Sequence, residues 1–213
     1  MLIKDESFRN LYHALVILKS KKYVQLTSKL LNKSQKDNNV NSLLLYPYIN
    51  HEVGMLFLVL GLVKLFDNRA EIINRDDFNI NKSIKKRNLN NNEFAYVNDV
   101  NINADFKLTH HLNHARHITK TFSKNVQLEC IRQARSLDKF RDINNPDIVS
   151  VLFLKDKLKP EYLNVCLENI SDGFFNGVLL DNPQQNFGVL KGMDVNVYLK
   201  RNDENRIICY SKL

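Results

Sequence analysis

The sequence predicts an α+β fold: a helix-rich N-terminal half, followed by helices packed on a small antiparallel five-stranded meander or SH3-like barrel. Three observations carry this. Apolar residues recur at helical spacing from Phe8 to Leu31. The stretch from Asp67 to Val100 is polar and Asn-dense, with no sustained apolar period. Beyond residue 147, short runs rich in β-branched and aromatic residues alternate with turn residues. The expected organisation is a helix-rich module over residues 1–90, a polar linker over 91–104 and an α+β module over 105–213.

In chain order, Phe8, Leu11, Tyr12, Leu15 and Leu18, then Val24, Leu26, Leu30 and Leu31, predict one or two amphipathic helices. They end in the polar run NKSQKDNNVNS, whose Asn and Asp residues favour turns. Pro47 is expected to act as a breaker. Val53 to Phe66 is the most apolar segment and reads as a buried helix or strand, or as an exposed patch for dimerisation. It is too short for the roughly 18 residues of a membrane span. Helical periodicity returns over Phe106 to Phe122 and again from Gln127 to Phe140. Strands are then expected at 147–155, 161–170, 173–181, 194–200 and 206–211, with Ser171-Asp172-Gly173 as a hairpin turn. In the fourth run Val195, Val197 and Leu199 would face inward, and Asn196, Tyr198 and Lys200 outward.

The 213 residues carry 44% hydrophobic and 25% charged side chains, enough to bury a core and too apolar for gross disorder. Asn occurs 29 times, against 6 Gly and 4 Pro. The net charge of +8 is uneven: residues 107–141 hold eight basic against two acidic side chains, whereas 142–213 hold eight against ten. Three widely spaced cysteines, Cys130, Cys166 and Cys209, form no CxxC pair, so neither a disulfide framework nor a zinc ribbon is expected. With no signal-peptide pattern at the N-terminus, the expected location is the cytoplasm.

A resemblance emerges from HHLNHARHITKTF (110–122), VSVLFLK, EYLNVCLENISDGFFNGVLLDNP (161–183) and LKGMDVNVYL (190–199). Together these resemble the YegJ-like bacterial domain of unknown function (domain of unknown function 2314), over roughly residues 105–213. The matching positions are Ala115, Arg116, Thr119, Phe122, Glu161, Gly177, Leu179, Asn182, Pro183, Gly192, Asp194 and Val195. Tyr162-Leu163-Asn164 stands where the family carries a Trp, and Cys209-Tyr210 where it carries Asp-Trp. The resemblance implies helices beside a small antiparallel sheet, and no activity.

No complete reactive constellation is present: GxGxxG, GxxxxGK[ST] and GxSxG are all missing. No catalytic residue and no cofactor is therefore expected. Arg116 is read as holding an internal carboxylate, Asp194 or Glu161, or a ligand anion, with Asn182 and Asp194 in the same candidate binding set. His110, His114 and His117 fall at i, i+4 and i+7 of a helix, a spacing that suits a metal ion. The HExxH glutamate is missing, and the bland alternative is three surface imidazoles. Lys120, Lys124, Arg132, Arg135 and Lys139 are the phosphate-tracking candidates if the partner is nucleic acid. The leading expectation is a non-catalytic interaction or ligand-binding module whose partner is a protein or small ligand. The alternatives are nucleic-acid association through helices 107–141 and His-dependent metal binding.

Overall fold

The computed structural model describes residues 1–28, 40–67, 69–73, 82–102, 112–113, 115–117, 120–121 and 125–213. The chain divides into two compact units, Met1–Phe122 and Ser123–Leu213. Both are built mainly of strands, so the expected α+β class gives way to a mostly β fold, a sheet in the first unit and a closed barrel in the second.

The helix-rich N-terminal half is not what the first unit forms. Its helical elements are short: α1 (Phe8–Leu11), α2 (Lys21–Ser28) and α3 (Lys86–Leu89). Ser7 caps α1, its side chain accepting from the Asn10 amide at 3.2 Å. The periodicity that runs on past Leu11 is cut at His13, whose backbone sits at φ 63. Val16-Ile17-Leu18 then enter strand β1 (Val16–Lys19), where β-branched side chains pack well.

Two long strands, β2 (Ser42–Asn50) and β3 (Gly54–Phe66), form the spine of this unit. Further strands are β4 (Arg69–Ile73), β5 (Ser83–Lys85), β6 (Glu93–Tyr96) and β7 (Asn101–Ile102). The sheet runs β6-β1-β2-β3-β4-β7, and β5 and β4 share the second edge of β3 in succession. Strands β6 and β7 thus fall within residues 91–104. Pro47 does not break β2. It lies beyond the end of β1, which pairs only as far as Leu45, and its carbonyl accepts from the His13 amide.

Val53 to Phe66 is near-continuously apolar because this sheet is covered on both faces. Met55, Phe57, Val59 and Leu62 face a core shared with Ile3, Leu11, Val24 and Leu89. Leu56, Leu58, Leu60 and Val63 face the other, shared with Val97 and Ala115. The parity changes within β3, from odd to even on the first face. A bulge accounts for it: Leu44 pairs with Gly61 but Leu45 with Val59, leaving Leu60 extra. Without that residue every side chain beyond it would swap faces.

The second unit is a closed five-stranded barrel. Helix α4 (Val126–Gln133) and a 3-10 segment (Arg135–Phe140) precede it. The strands are β8 (Ile148–Leu154), β9 (Glu161–Ser171), β10 (Phe174–Leu179), β11 (Asp194–Arg201) and β12 (Ile207–Lys212). Successive strands pair antiparallel, as a meander. The closing pair, β12 with β8, is parallel, because the first and last of five alternating strands point the same way. Inward residues Val149, Val151, Phe153, Leu163, Val165, Val195 and Val197 make the core, which Leu128, Ile131 and Leu137 join from the helical segment.

Two glycines on β10 and its hairpin are present for different reasons. Gly173 adopts φ +88 in the turn with open space where a Cβ would project. A Cβ on Gly177 would stand 2.3 Å from the Cys166 carbonyl oxygen on β9. Gly177→Ala should therefore lower barrel stability by about 1–3 kcal/mol through overpacking. Gly173→Asn, whose residue type tolerates the left-handed region, should cost well under that. Urea melts of both variants check this, and equal losses would refute it.

Candidate functional site

The outer surface of the barrel carries the most organised exposed feature of the described residues. Alternation turns Tyr198 outward between buried Val197 and the part-buried Leu199, as it does Tyr210 beside buried Cys209. Register sets Tyr198 directly opposite Tyr210 on β12, Tyr210 opposite Leu152 on β8, and Leu152 opposite Tyr162 on β9. On the other side the Phe174 ring lies 5.7 Å from that of Tyr198. The result is a belt of large apolar side chains, one from each of the five strands. Its centre is contiguous: the Tyr198 and Tyr210 rings are 5.6 Å apart, tilted by 34°.

Polar groups frame the belt. Lys200 and Lys212 are exposed two residues beyond Tyr198 and Tyr210 on their strands, and so lie on the same outer surface. Asn176 Nδ2 donates to Asn196 Oδ1 at 2.7 Å on the adjoining row. Ser171 Oγ donates in turn to Asn176 Oδ1 at 3.2 Å. At one end of β12, Lys139 Nζ donates to the Ile207 carbonyl while lying 4.8 Å from the Phe140 ring centroid.

The first unit holds an open cleft of about 510 Å³ lined by Asn10, His13, Tyr96, Asp99 and Leu112, among others. His13 is positioned by a 2.9 Å contact from Nδ1 to the Tyr46 hydroxyl. Its ring lies 3.7 Å from that of Tyr12. Burial, and then the Glu6 carboxylate, push the Tyr96 phenol up to about 12, so it is neutral at physiological pH.

The described residues singled out from the sequence fall in both units. Arg116 and His117 are exposed helical residues of the first unit, directly after buried Ala115. His110, His114 and Lys124 lie outside the described residues. Asn182 and Asp194 belong to the second unit, both exposed, with Asp194 at the start of β11 opposite Val178. Glu161, the other carboxylate weighed for Arg116, accepts from the Gln184 amide at 3.0 and 3.1 Å. Lys120 and Arg135 are exposed.

Arg132 is a correction to the phosphate-tracking set. Its side chain is 1% exposed and meets Asp147, at 0%, through two parallel contacts: Nε to Oδ1 at 2.9 Å and Nη2 to Oδ2 at 2.6 Å. Glu129 takes Nη1. A guanidinium held this way is unavailable to phosphate. Arg141 is committed as well, donating to the Pro146, Ile131 and Ala134 carbonyls and so capping the end of α4.

The cysteines differ in setting. Cys130 is exposed, Cys166 half-buried and Cys209 buried, its thiol pushed up to about 12 by burial. Among the described residues no group of three or more His, Cys, Asp or Glu is placed to hold a metal ion. No helix among them is long and apolar enough to cross a membrane.

No family model, curated protein or solved structure matches this chain. The resemblance of residues 105–213 to the YegJ-like domain draws no support from these comparisons.

Two outcomes are expected. Arg132→Met should destabilise the barrel by about 3–5 kcal/mol, since it leaves the Asp147 carboxylate buried without its cation. Adding Asp147→Leu should recover much of that loss in the same melting assay. At pH 8 an aromatic disulfide reagent should label Cys130 promptly, and Cys209 only after denaturation, followed by mass spectrometry.

Proposed function

We propose that this chain is a non-catalytic cytoplasmic bacterial protein whose C-terminal barrel is a small interaction or ligand-binding module. The barrel works through its outer face across β10, β11 and β12. The observation that carries the reading is the contiguous Phe174–Tyr198–Tyr210 row on a surface that the barrel's own core does not need. Aromatic rings combine large apolar area with little side-chain entropy to lose on binding, which is why they dominate recognition surfaces. The Asn176–Asn196 pair beside them offers further hydrogen-bonding capacity on the same face.

Nucleic-acid association through helices 107–141 is the weaker reading. It loses Arg132 to the buried pair with Asp147, while Lys139 is partly engaged by the Ile207 carbonyl. Exposed Lys120 and Arg135 remain of the set that falls on described residues.

The test compares tagged full-length protein with a Tyr198→Ser, Tyr210→Ser variant after incubation in native lysate. Both part-buried side chains lie outside the core, so the double variant should remain folded with a lowered melting temperature. Wild type should retain a specific protein, nucleic acid or small molecule, identified by mass spectrometry, that the variant does not. Equal recovery from both would refute the outer face as the binding surface.

A further inference from the structure

We propose that the occupant of the outer barrel face is single-stranded nucleic acid, its bases lying on the Phe174–Tyr198–Tyr210 shelf and its phosphates meeting Lys200 and Lys212. This rests on the barrel face being the binding surface, and it adds the chemical class of the partner.

Shape argues first. The three rings come from neighbouring strands and already touch, with centroid separations of 5.7 and 5.6 Å and tilts of 41° and 34°. A polyproline segment needs slots between aromatic side chains into which pyrrolidine rings drop. Rings packed against one another at these separations leave no such slots; they make one continuous aromatic shelf. Planar groups can lie on a shelf of this kind. Its ring spacing exceeds the roughly 3.4 Å rise of stacked nucleotides, so bases meet it unstacked from one another, as unpaired strands allow. Stacking of this kind tolerates any sequence, because every base has a π-face.

Charge argues second. On β11 and β12 the outward positions around the tyrosines are Asn196 and Lys200, and Ile208 and Lys212. The two lysines follow the two tyrosines on strands of opposite direction. They therefore stand on opposite flanks of the shelf, where a backbone crossing it would pass one and then the other. The single carboxylate among the outward β11 positions is Asp194, four residues from Tyr198, or roughly 13 Å along the strand. Between it and the shelf lie the Asn176 and Asn196 amides, which can donate to and accept from base edges.

This path differs from the basic helical stretch, and the two are separable by mutation. The experiment is fluorescence anisotropy with full-length protein and fluorescein-labelled 12-mers of deoxythymidine and of uridine, at 50 and 200 mM NaCl. A labelled proline decapeptide serves as the competing occupant. The oligonucleotides should bind, more weakly at the higher salt. Tyr198→Leu and Tyr210→Leu, which keep bulk but remove the hydroxyphenyl ring, should each weaken binding at least about fivefold. Lys200→Gln with Lys212→Gln should flatten the dependence of log affinity on log salt by about 1.4, the value for two single-strand phosphate contacts. These two lysines are exposed, so that variant folds even if a tyrosine variant does not.

Three results would overturn the proposal: no oligonucleotide binding at 50 mM NaCl with protein up to about 100 μM; binding that both variant sets leave intact; or binding lost on Lys120→Glu with Arg135→Glu while the tyrosine variants retain it. If the decapeptide binds and the tyrosine variants abolish that binding while neither oligonucleotide binds, the face stands as the interaction surface and nucleic acid fails as its occupant.

Discussion

A fully buried guanidinium–carboxylate pair governs how the second unit is assembled. Arg132 sits near the end of α4, and Asp147 immediately precedes β8, so their two parallel contacts fix the helix against the start of the barrel. Such a pair repays its desolvation only when geometry is good and the remaining lone pairs are satisfied. Here the surrounding loop helps. Asp142 accepts from the Asn144 and Asn145 amides, Asn145 accepts from the Asp147 amide, and the Asp147 carbonyl takes the Leu167 amide of β9. Arg141 closes the same loop onto the carbonyls at the end of α4. Once this polar knot is set, Leu128 and Ile131 enter the barrel core, and inward and outward positions follow strand by strand.

The first unit answers a different constraint, that of a sheet covered on both faces. Thirteen residues of β3 are almost continuously apolar, and such a strand carries little alternation to set its register. The bulge at Leu60 supplies a structural marker. It shifts parity once, so that Val59 and Leu62 both reach the core containing Leu11 and Leu89. Short α1, α2 and α3 then serve as covers. They are not the framework.

The functional proposal draws on both lessons. The barrel's interior is filled by its own inward side chains, Val149, Val151, Phe153, Leu163 and Val197 among them, yet Tyr198 and Tyr210 are paired in register on the outside and Phe174 joins them across β10. Lysines on opposite flanks give that shelf a polarity suited to an anionic chain. The buried Arg132 shows why a count of basic residues misplaced the electrostatics: a charge locked on Asp147 contributes structure, not field at the surface.

Much of the barrel was legible in the chain. Short β-rich runs bounded by turn residues marked its five strands, Asp172-Gly173 marked the hairpin, and alternation in β11 turned Tyr198 outward. The fate of Phe8 to Lys19 was not legible, because the same apolar positions suit a helix face until a left-handed residue at His13 and a partner for Val16–Lys19 on β2 decide for strand. Nor was the aromatic belt. Phe174, Tyr198 and Tyr210 lie on three separate strands, and only cross-strand register makes them neighbours. Within the second unit, composition and local pattern thus determined where the chain would be extended and which side chains of β11 would turn inward. Tertiary structure decided what each would pair with, because pairing partners are set by contacts between residues distant in sequence, and no local periodicity encodes them.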